Sequence, residues 1–244
     1  MMEVKILYED AQLIVCVKPP GMSSQAERSS SMDLVSWLKN YLAAKQKGGG
    51  PGKSPYISVV HRLDRPVGGV MVYAKTPKAA AGLSRQFSEH QTEKTYLALL
   101  TGRLPKASGS LVDHLEKDGR TNTSAVVGEG GRKASLDYRE LEEKDGLSLV
   151  EVRLHTGRHH QIRVQTAHAG AGIYGDMKYN SEGTKKWNEK EGIGSGTPEL
   201  CLFSCRLTFE HPVSHRKMCF EVLPEQGRMT IDEWPSLSYY KKRK

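Results

Sequence analysis

Apolar residues in this chain alternate along short stretches more often than they recur at helical spacing. Residues 4–8 (VKILY) and 12–18 (QLIVCVK) read as two strands joined by a turn at Asp10-Ala11. Lys18-Pro19-Pro20-Gly21 ends the second, because proline has no amide to give to a ladder. Over residues 33–46, Leu34, Leu38, Tyr41 and Leu42 share one helical face, with serines ahead to cap it. KGGGPGKS at 47–54 reads as a flexible loop. Residues 57–60 and 70–74 read as strands entering and leaving an HRLD turn. Thr76-Pro77 supplies a capping hydroxyl and a first-turn proline for a helix that should reach about residue 90. Residues 96–100 form a further strand, and 133–141 with 147–154 form a hairpin across Lys144-Asp145-Gly146. Residues 158–168 read as a helix, 180–198 as a polar, glycine-rich loop, and 200–210 with 216–223 as closing strands. The tail SYYKKRK, residues 238–244, reads as frayed and disordered. Strands dominate, their links are hairpin-like, and three main helices remain. The pattern predicts an α+β fold with a mixed, largely antiparallel β-sheet and flanking helices. No internal repeat is present.

Composition adds a compartment and a class of partner. The 244 residues suffice for one large or two small domains, and 37% hydrophobic with 26% charged residues describes a soluble globular protein. No apolar run reaches spanning length, and the N-terminus MMEVKILYEDAQLIV has acids where a signal peptide has its apolar core. Cys16, Cys201, Cys205 and Cys219 are scattered, which fits buried thiols in a reduced, cytoplasmic protein. The formal net charge of +8 favours a polyanionic partner, though a basic surface also serves solubility alone.

The chemistry concentrates in two blocks. HRLDRPVGGVMVYAK, from His61 to Lys75, sets Asp64 between Arg62 and Arg65, just before a Gly-Gly pair and an apolar strand. Cations beside a carboxylate favour its ionised form, so Asp64 is available as a nucleophile or base. By itself the pattern also describes a surface ion pair. The second block, LHTGRHHQIRVQTAHAGAGIYGDMKY, runs from Leu154 to Tyr179. Its Thr156-Gly157-Arg158 turn opens the predicted helix. Helical spacing then puts His159, Arg163 and Ala167 on one face, and Arg158, Ile162 and Gln165 on its neighbour. Exposed amides and arginine at a helix start suit phosphate, and a helix laid on a sheet with solvated arginines fits equally. GPGKS resembles part of a nucleotide-binding P-loop, but Lys47 stands where its first glycine belongs and Pro55 opposes the following helix. His155, His159, His160 and His168 lack a fixed zinc-ligand spacing, and the cysteines lie elsewhere, so no metal is expected.

HRLDRPVGG followed by TGRHHQIR and IYGDMKY resembles the RluA-type RNA pseudouridine synthases, which isomerise selected uridines in structured RNA without a cofactor. LYEDAQLIVCVKPPGM, EKTYLALLTG (93–102) and LTFEHP (207–212) add matches in the expected order, so the resemblance covers nearly the whole chain. It implies one pseudouridine synthase catalytic domain over residues 1–244, with an active-site cleft across the sheet. It makes Asp64 the essential carboxylate, Arg62 a wedge that expels the target base, and Tyr96 a residue that packs on the uracil and guides a proton step. Arg163 would pair with Asp64, and Ile162 would wall the pocket. His61, Arg65, Arg158, His160 and Gln161 would also lie on the RNA side. The partner would be ribosomal or transfer RNA and the protein a monomer, with no membrane association. Many relatives carry a small N-terminal RNA-binding domain, which is expected to be absent because catalytic-domain strands begin at residue 4. The chain departs from the family pattern at Val67-Gly68, usually Thr-Ser or similar, at Gln165, commonly histidine, and at Gly172, usually proline. A catalytically silent RNA-binding protein or RNA chaperone on the same fold is the competing reading, and an intact Asp64, Tyr96 and Arg163 set argues against it.

Overall fold

The computed structural model describes residues 4–26, 32–45, 54–194 and 198–241. The expected 47–54 loop, except for Ser54, lies outside the described residues, as does the end of the basic tail. The chain divides into two compact units, residues 1–92 with 206–222 and residues 93–205 with 223–244.

In the first unit, β1 (Lys5–Glu9) and β2 (Leu13–Lys18) form an antiparallel hairpin, and β2 pairs with β4 (Gly68–Ala74). The turn between β1 and β2 is held by Asp10, whose Oδ1 accepts the amides of Gln12 and Leu13 at 2.7 and 2.9 Å. Helix α1 (Leu34–Lys45) buries Leu34, Leu38 and Leu42, as its periodicity predicts. Its cap is Asp33, whose carboxylate accepts both the amide and the hydroxyl of Ser36, while the serines at 29–31 lie outside the described residues. Two-residue β3 (Ser58–Val59) pairs with β4 near its C-terminal end. β4 begins two residues earlier than its apolar run suggests, and all seven of its residues are buried. Helix α2 (Pro77–Ser88) starts where Thr76-Pro77 predicts, with the Thr76 hydroxyl accepting the Ala79 amide at 3.1 Å. Its Ala79 and Leu83 pack on Leu13, Val15, Val70 and Val72, joined by Leu207 and Phe209 from further along the chain.

The second unit is an antiparallel sheet in the order β5-β9-β8-β6-β7. Its strands are β5 (Glu93–Thr101), β6 (Ser108–Asp118), β7 (Thr123–Val127), β8 (Arg132–Lys144) and β9 (Leu147–Leu154). The β8–β9 turn is the predicted one, with Asp145 and Gly146 both left-handed at φ 55° and 79°. Neither β6 nor β7 was expected. Helix α3 spans Gln161–His168, three residues shorter than its predicted start, because His160 is left-handed at φ 53°. Val164 of α3 packs on Leu115 of β6 and Ala134 of β8.

Two expectations are overturned here. Residues 181–190 form a helix, α4 (Ser181–Lys190), rather than a loop. The tail folds as a 3-10 turn (Pro235–Leu237) and a short helix α5 (Ser238–Lys241), with Tyr240 buried and bonded to Glu151. Strand β10 (Leu202–Glu210) carries the chain from the second unit back to the first, where it pairs with β11 (Lys217–Glu221). No described helix is long and apolar enough to cross a membrane.

Candidate active site

Between β3 and β4, residues 60–67 leave the ladder, and nearly every peptide around Asp64 is held by a specific partner. The Asp64 carbonyl accepts the Val67 amide at 3.0 Å, closing a tight turn. The Arg65 carbonyl accepts both the Gly21 amide at 2.8 Å and the Lys18 ammonium at 3.0 Å. Arg65 returns its own Nε to the Gly21 carbonyl at 2.9 Å. Lys18 is fully buried, and its Nζ also donates to the carbonyls of Met22 at 2.6 Å and Pro19 at 3.1 Å. The Ser24 hydroxyl donates to the Leu63 carbonyl at 2.7 Å and accepts the Leu63 amide at 3.1 Å. His61 Nε2 accepts the Val72 amide at 3.1 Å, which puts the ring proton on Nδ1. The same ring stacks on Phe87, with centroids 4.4 Å apart. Leu63 and Val67 are buried, Asp64 is half-buried, and Arg62 and Arg65 are exposed. The sequence thus delivers a partly sheltered carboxylate on an immobilised loop, with exposed guanidinium groups on either side of it in the chain.

The remaining candidates belong to the second unit. Tyr96 sits on β5 opposite Val152 of β9 and is buried. Arg163, a solvated helix cation by pattern alone and a partner of Asp64 by the resemblance, is buried, and the Asp176 carboxylate grips its guanidinium at two points. Nε meets Oδ2 at 2.6 Å and Nη2 meets Oδ1 at 2.8 Å. Asp176 Oδ1 also accepts the amides of Lys178 and Tyr179, at 3.0 and 3.2 Å. The Tyr179 ring lies 5.1 Å from the Arg163 guanidinium carbon, within cation–π range.

The left-handed His160 places its Nδ1 2.7 Å from the Tyr179 hydroxyl, which accepts the Ser124 amide at 2.8 Å. Its ring stacks on His159 at 3.8 Å, and His159 Nδ1 lies 2.9 Å from the Ser124 hydroxyl. Burial, followed by the charges of Arg163, His159, Lys178 and Lys117, pushes the His160 imidazole down to about 3, so it is neutral at physiological pH. Gln161 is a structural bridge. Its Oε1 accepts the Thr156 hydroxyl at 2.7 Å and the Arg158 amide at 3.0 Å, while Nε2 donates to Ser135 and Gln165. Ile162 is buried, and Arg158 spends its Nε on the Lys133 carbonyl at 2.9 Å. Because the helix starts at Gln161, Arg158 and His159 lie outside it, and the two helical faces drawn through them do not exist.

Sequence reasoning passed over Lys18, Ser24, Asp176 and Tyr179. Lys18 lies in KPPGM and Asp176 and Tyr179 in IYGDMKY, so two of the motifs already singled out contained the signal. Gln165, one of the departures from the family pattern, is fully buried and donates to Asp113 at 2.7 Å. Of the four histidines weighed as zinc ligands, His155 meets Asp137, His168 lies near Asp113, and the other two meet Ser124 and Tyr179. Among the described residues, no three His, Cys, Asp or Glu side chains group to hold a metal.

Residues 12–168 match the RNA pseudouridylate synthase family, a span that contains Asp64, Tyr96 and Arg163. A ribosomal large subunit pseudouridine synthase D of Zymomonas mobilis is 33% identical over 221 residues, covering 89% of this chain and 68% of that protein. An uncharacterized RNA pseudouridine synthase of Aquifex aeolicus is 31% identical, covering 95% of this chain and 72% of its own length. Among solved structures, human RNA pseudouridylate synthase domain containing 4 superposes with a TM-score of 0.72 at 21% identity, over 97% of this chain and 93% of that one. The last likeness bears on the fold, and the sequence matches bear on the family. The chain belongs to the RNA pseudouridylate synthase family, in its RluA-type branch, and is an isomerase that acts on RNA.

Proposed function

We infer that the chain converts particular uridines of structured ribosomal RNA to pseudouridine, with Asp64 as the essential carboxylate. The observation that carries the assignment to Asp64 is the fixed HRLD loop. A half-buried acid is held there by backbone bonds on both sides of it. Ribosomal RNA is favoured over transfer RNA by the relatives named as ribosomal large subunit enzymes. A net charge of +8 suits a phosphate-rich partner.

The reaction breaks the bond from the sugar's C1′ to uracil N1, turns the base, and bonds C1′ to C5. The proton on C5 is lost and N1 gains one, so atoms balance with no second substrate. An ionised Asp64 would meet the electron-poor C1′ as a nucleophile, or take the proton from C2′. Arg163 is its proposed cation partner, and a guanidinium already fixed by Asp176 needs no reorganisation when charge develops. Tyr96 would pack on the detached uracil and guide the C5 proton, with Ile162 as a wall of the pocket. The target base must leave its stack, at a cost of about a few kcal/mol, and Arg62 would fill the gap. Arg65 and Arg158 would lie on the RNA-facing surface, with the Val72-bonded His61 and the buried His160 and Gln161 supporting it from beneath. We take the protein to work as a cytoplasmic monomer.

The test is incubation with ribosomal RNA lacking its modifications, followed by pseudouridine mapping, for the wild type and Asp64→Asn. New pseudouridine from the wild type alone supports the reading. None from either protein leaves the RNA-chaperone alternative. Equal yields from both remove Asp64 from the mechanism.

A further inference from the structure

We propose that Ser24 is a positioning residue for Asp64, using one hydroxyl to fix the peptide groups of Leu63 on both sides. The inference rests on the reading of Asp64 as the essential carboxylate. Where β3 stops at Val59, the chain loses its ladder partner, and residues 60–67 must be held some other way. The Ser24 hydroxyl replaces that partner. It donates to the Leu63 carbonyl and accepts the Leu63 amide, as a neighbouring strand would. The carbonyl it holds belongs to the peptide that joins Leu63 to Asp64.

Ser24 can hold only because it is itself held. It is buried, with 4% of its surface exposed, and its carbonyl accepts the hydroxyl of Tyr73 at 2.8 Å. Tyr73 is fully buried on β4, paired with Ile14 of β2 and Val59 of β3. The chain of contact therefore runs from β4, through Tyr73 and Ser24, to the peptide that carries Asp64. Lys18 and Gly21 secure the other side of Asp64 at the Arg65 carbonyl. Those two contacts leave the Leu63 side to Ser24.

A displacement of about 1 Å at a catalytic group costs about a hundredfold in rate without weakening the binding of distant substrate parts. The experiment measures kcat and KM for ribosomal RNA with Ser24→Ala, Ser24→Thr and Ser24→Val, well below each variant's melting temperature. Threonine and valine share a shape and differ in the hydroxyl, so their ratio isolates the hydrogen bonds from crowding. Alanine and valine are expected to lower kcat by about 10–100-fold with KM within about twofold, and threonine to recover most of kcat. Hydrogen exchange should be faster at the Leu63 amide in the alanine and valine variants than in the threonine variant. An unchanged kcat in Ser24→Ala overturns the proposal. So does a threonine variant no better than valine, or a loss confined to KM. Asp64→Asn measured alongside separates the two readings. Full activity there removes the Asp64 assignment, whereas an inactive Asp64→Asn with a fully active Ser24→Ala removes only the role of Ser24.

Discussion

Arg163 and Asp176 form a two-point ion pair inside the second unit, at 2.6 and 2.8 Å, with 6% and none of their side-chain surfaces exposed. An arginine buried on a short helix is tolerable only with such a partner, since an isolated buried charge is expensive. The pair joins α3 to the loop after Gly175, and Tyr179 from the same loop lies within cation–π range of the guanidinium. Arg163, proposed as the cation partner of Asp64, is thus a fixed element rather than a mobile surface cation.

Asp176→Ala should be among the most damaging single substitutions outside the HRLD loop. Removing one partner of a buried pair costs about 3–5 kcal/mol, a large part of the roughly 5–15 kcal/mol that holds a typical domain. Urea unfolding should show a much lower midpoint for Asp176→Ala. The double variant Arg163→Met/Asp176→Leu should regain part of that stability, less what the Lys178 and Tyr179 amides lose with their acceptor, while remaining inactive. A shift below about 1 kcal/mol in the single variant would show that the pair is not what seats Arg163.

Acid should destabilise the protein partly through His160. Its folded value is depressed to about 3 from 6.5, so below pH 6.5 the unfolded chain takes up a proton that the folded one refuses. Stability from neutral His160 is fully present above about pH 6.5. It falls as pH drops toward 3, by at most about tenfold in the folding equilibrium per pH unit. Asparagine tolerates the left-handed backbone and does not titrate. His160→Asn should therefore lose less stability than the wild type between about pH 7 and pH 4.5, read as the shift in urea midpoint. Equal losses would place the acid sensitivity elsewhere.

Local signals made much of this fold legible, and long-range ones hid the rest. Thr76-Pro77 marks the start of α2, and Asp145-Gly146 marks the β8–β9 turn, because cap and turn chemistry act within four residues. Helix α4 escaped because nothing in SEGTKKWNEK is apolar except Trp187. What holds it lies elsewhere: Asn188 meets the Tyr174 hydroxyl at 2.6 Å, the Thr184 hydroxyl accepts the Gly175 amide at 3.1 Å, and Trp187 donates to the Asp145 carbonyl at 3.0 Å. The late start of α3 follows from His160, whose left-handed conformation brings its ring to Tyr179, 19 residues on. Asp64 and Arg163 stood out in dense motifs. Ser24, 39 residues before Leu63, carried no mark of its partner.

Lys18 should matter more to the HRLD loop than its distance along the chain suggests. Its ammonium reaches three carbonyls, and bonds to charged groups contribute about 1.5–3 kcal/mol each, offset by the cost of burying the charge. Lys18→Met keeps the volume and deletes the donors, so a net loss of about 2–4 kcal/mol is expected in urea unfolding. Limited proteolysis should cut faster near residues 19–26 and 61–66 in the variant. Unaltered cleavage there, together with an unaltered midpoint, would mean the loop is held without Lys18.

Gly172, where the family usually has proline, is explained by Asn180. A Cβ on Gly172 would sit 2.5 Å from the Asn180 Cβ and 2.6 Å from its Cγ, and a Cβ on Gly183 would also collide with the Asn180 amide oxygen. Asn180 uses the slot between the two glycines to donate to the Thr101 hydroxyl at 2.7 Å and to the Ile173 carbonyl at 3.0 Å. Gly172→Ala should therefore cost about 1–3 kcal/mol through overpacking, and Asn180→Gly should destabilise by losing its bonds. Once the asparagine side chain is gone, the added methyl has room. The double variant should then be more stable than the sum of the single losses predicts, by about 0.5–3 kcal/mol in a four-member cycle of urea unfolding. Additive losses would mean that the side chain at 180 does not dictate the glycine at 172.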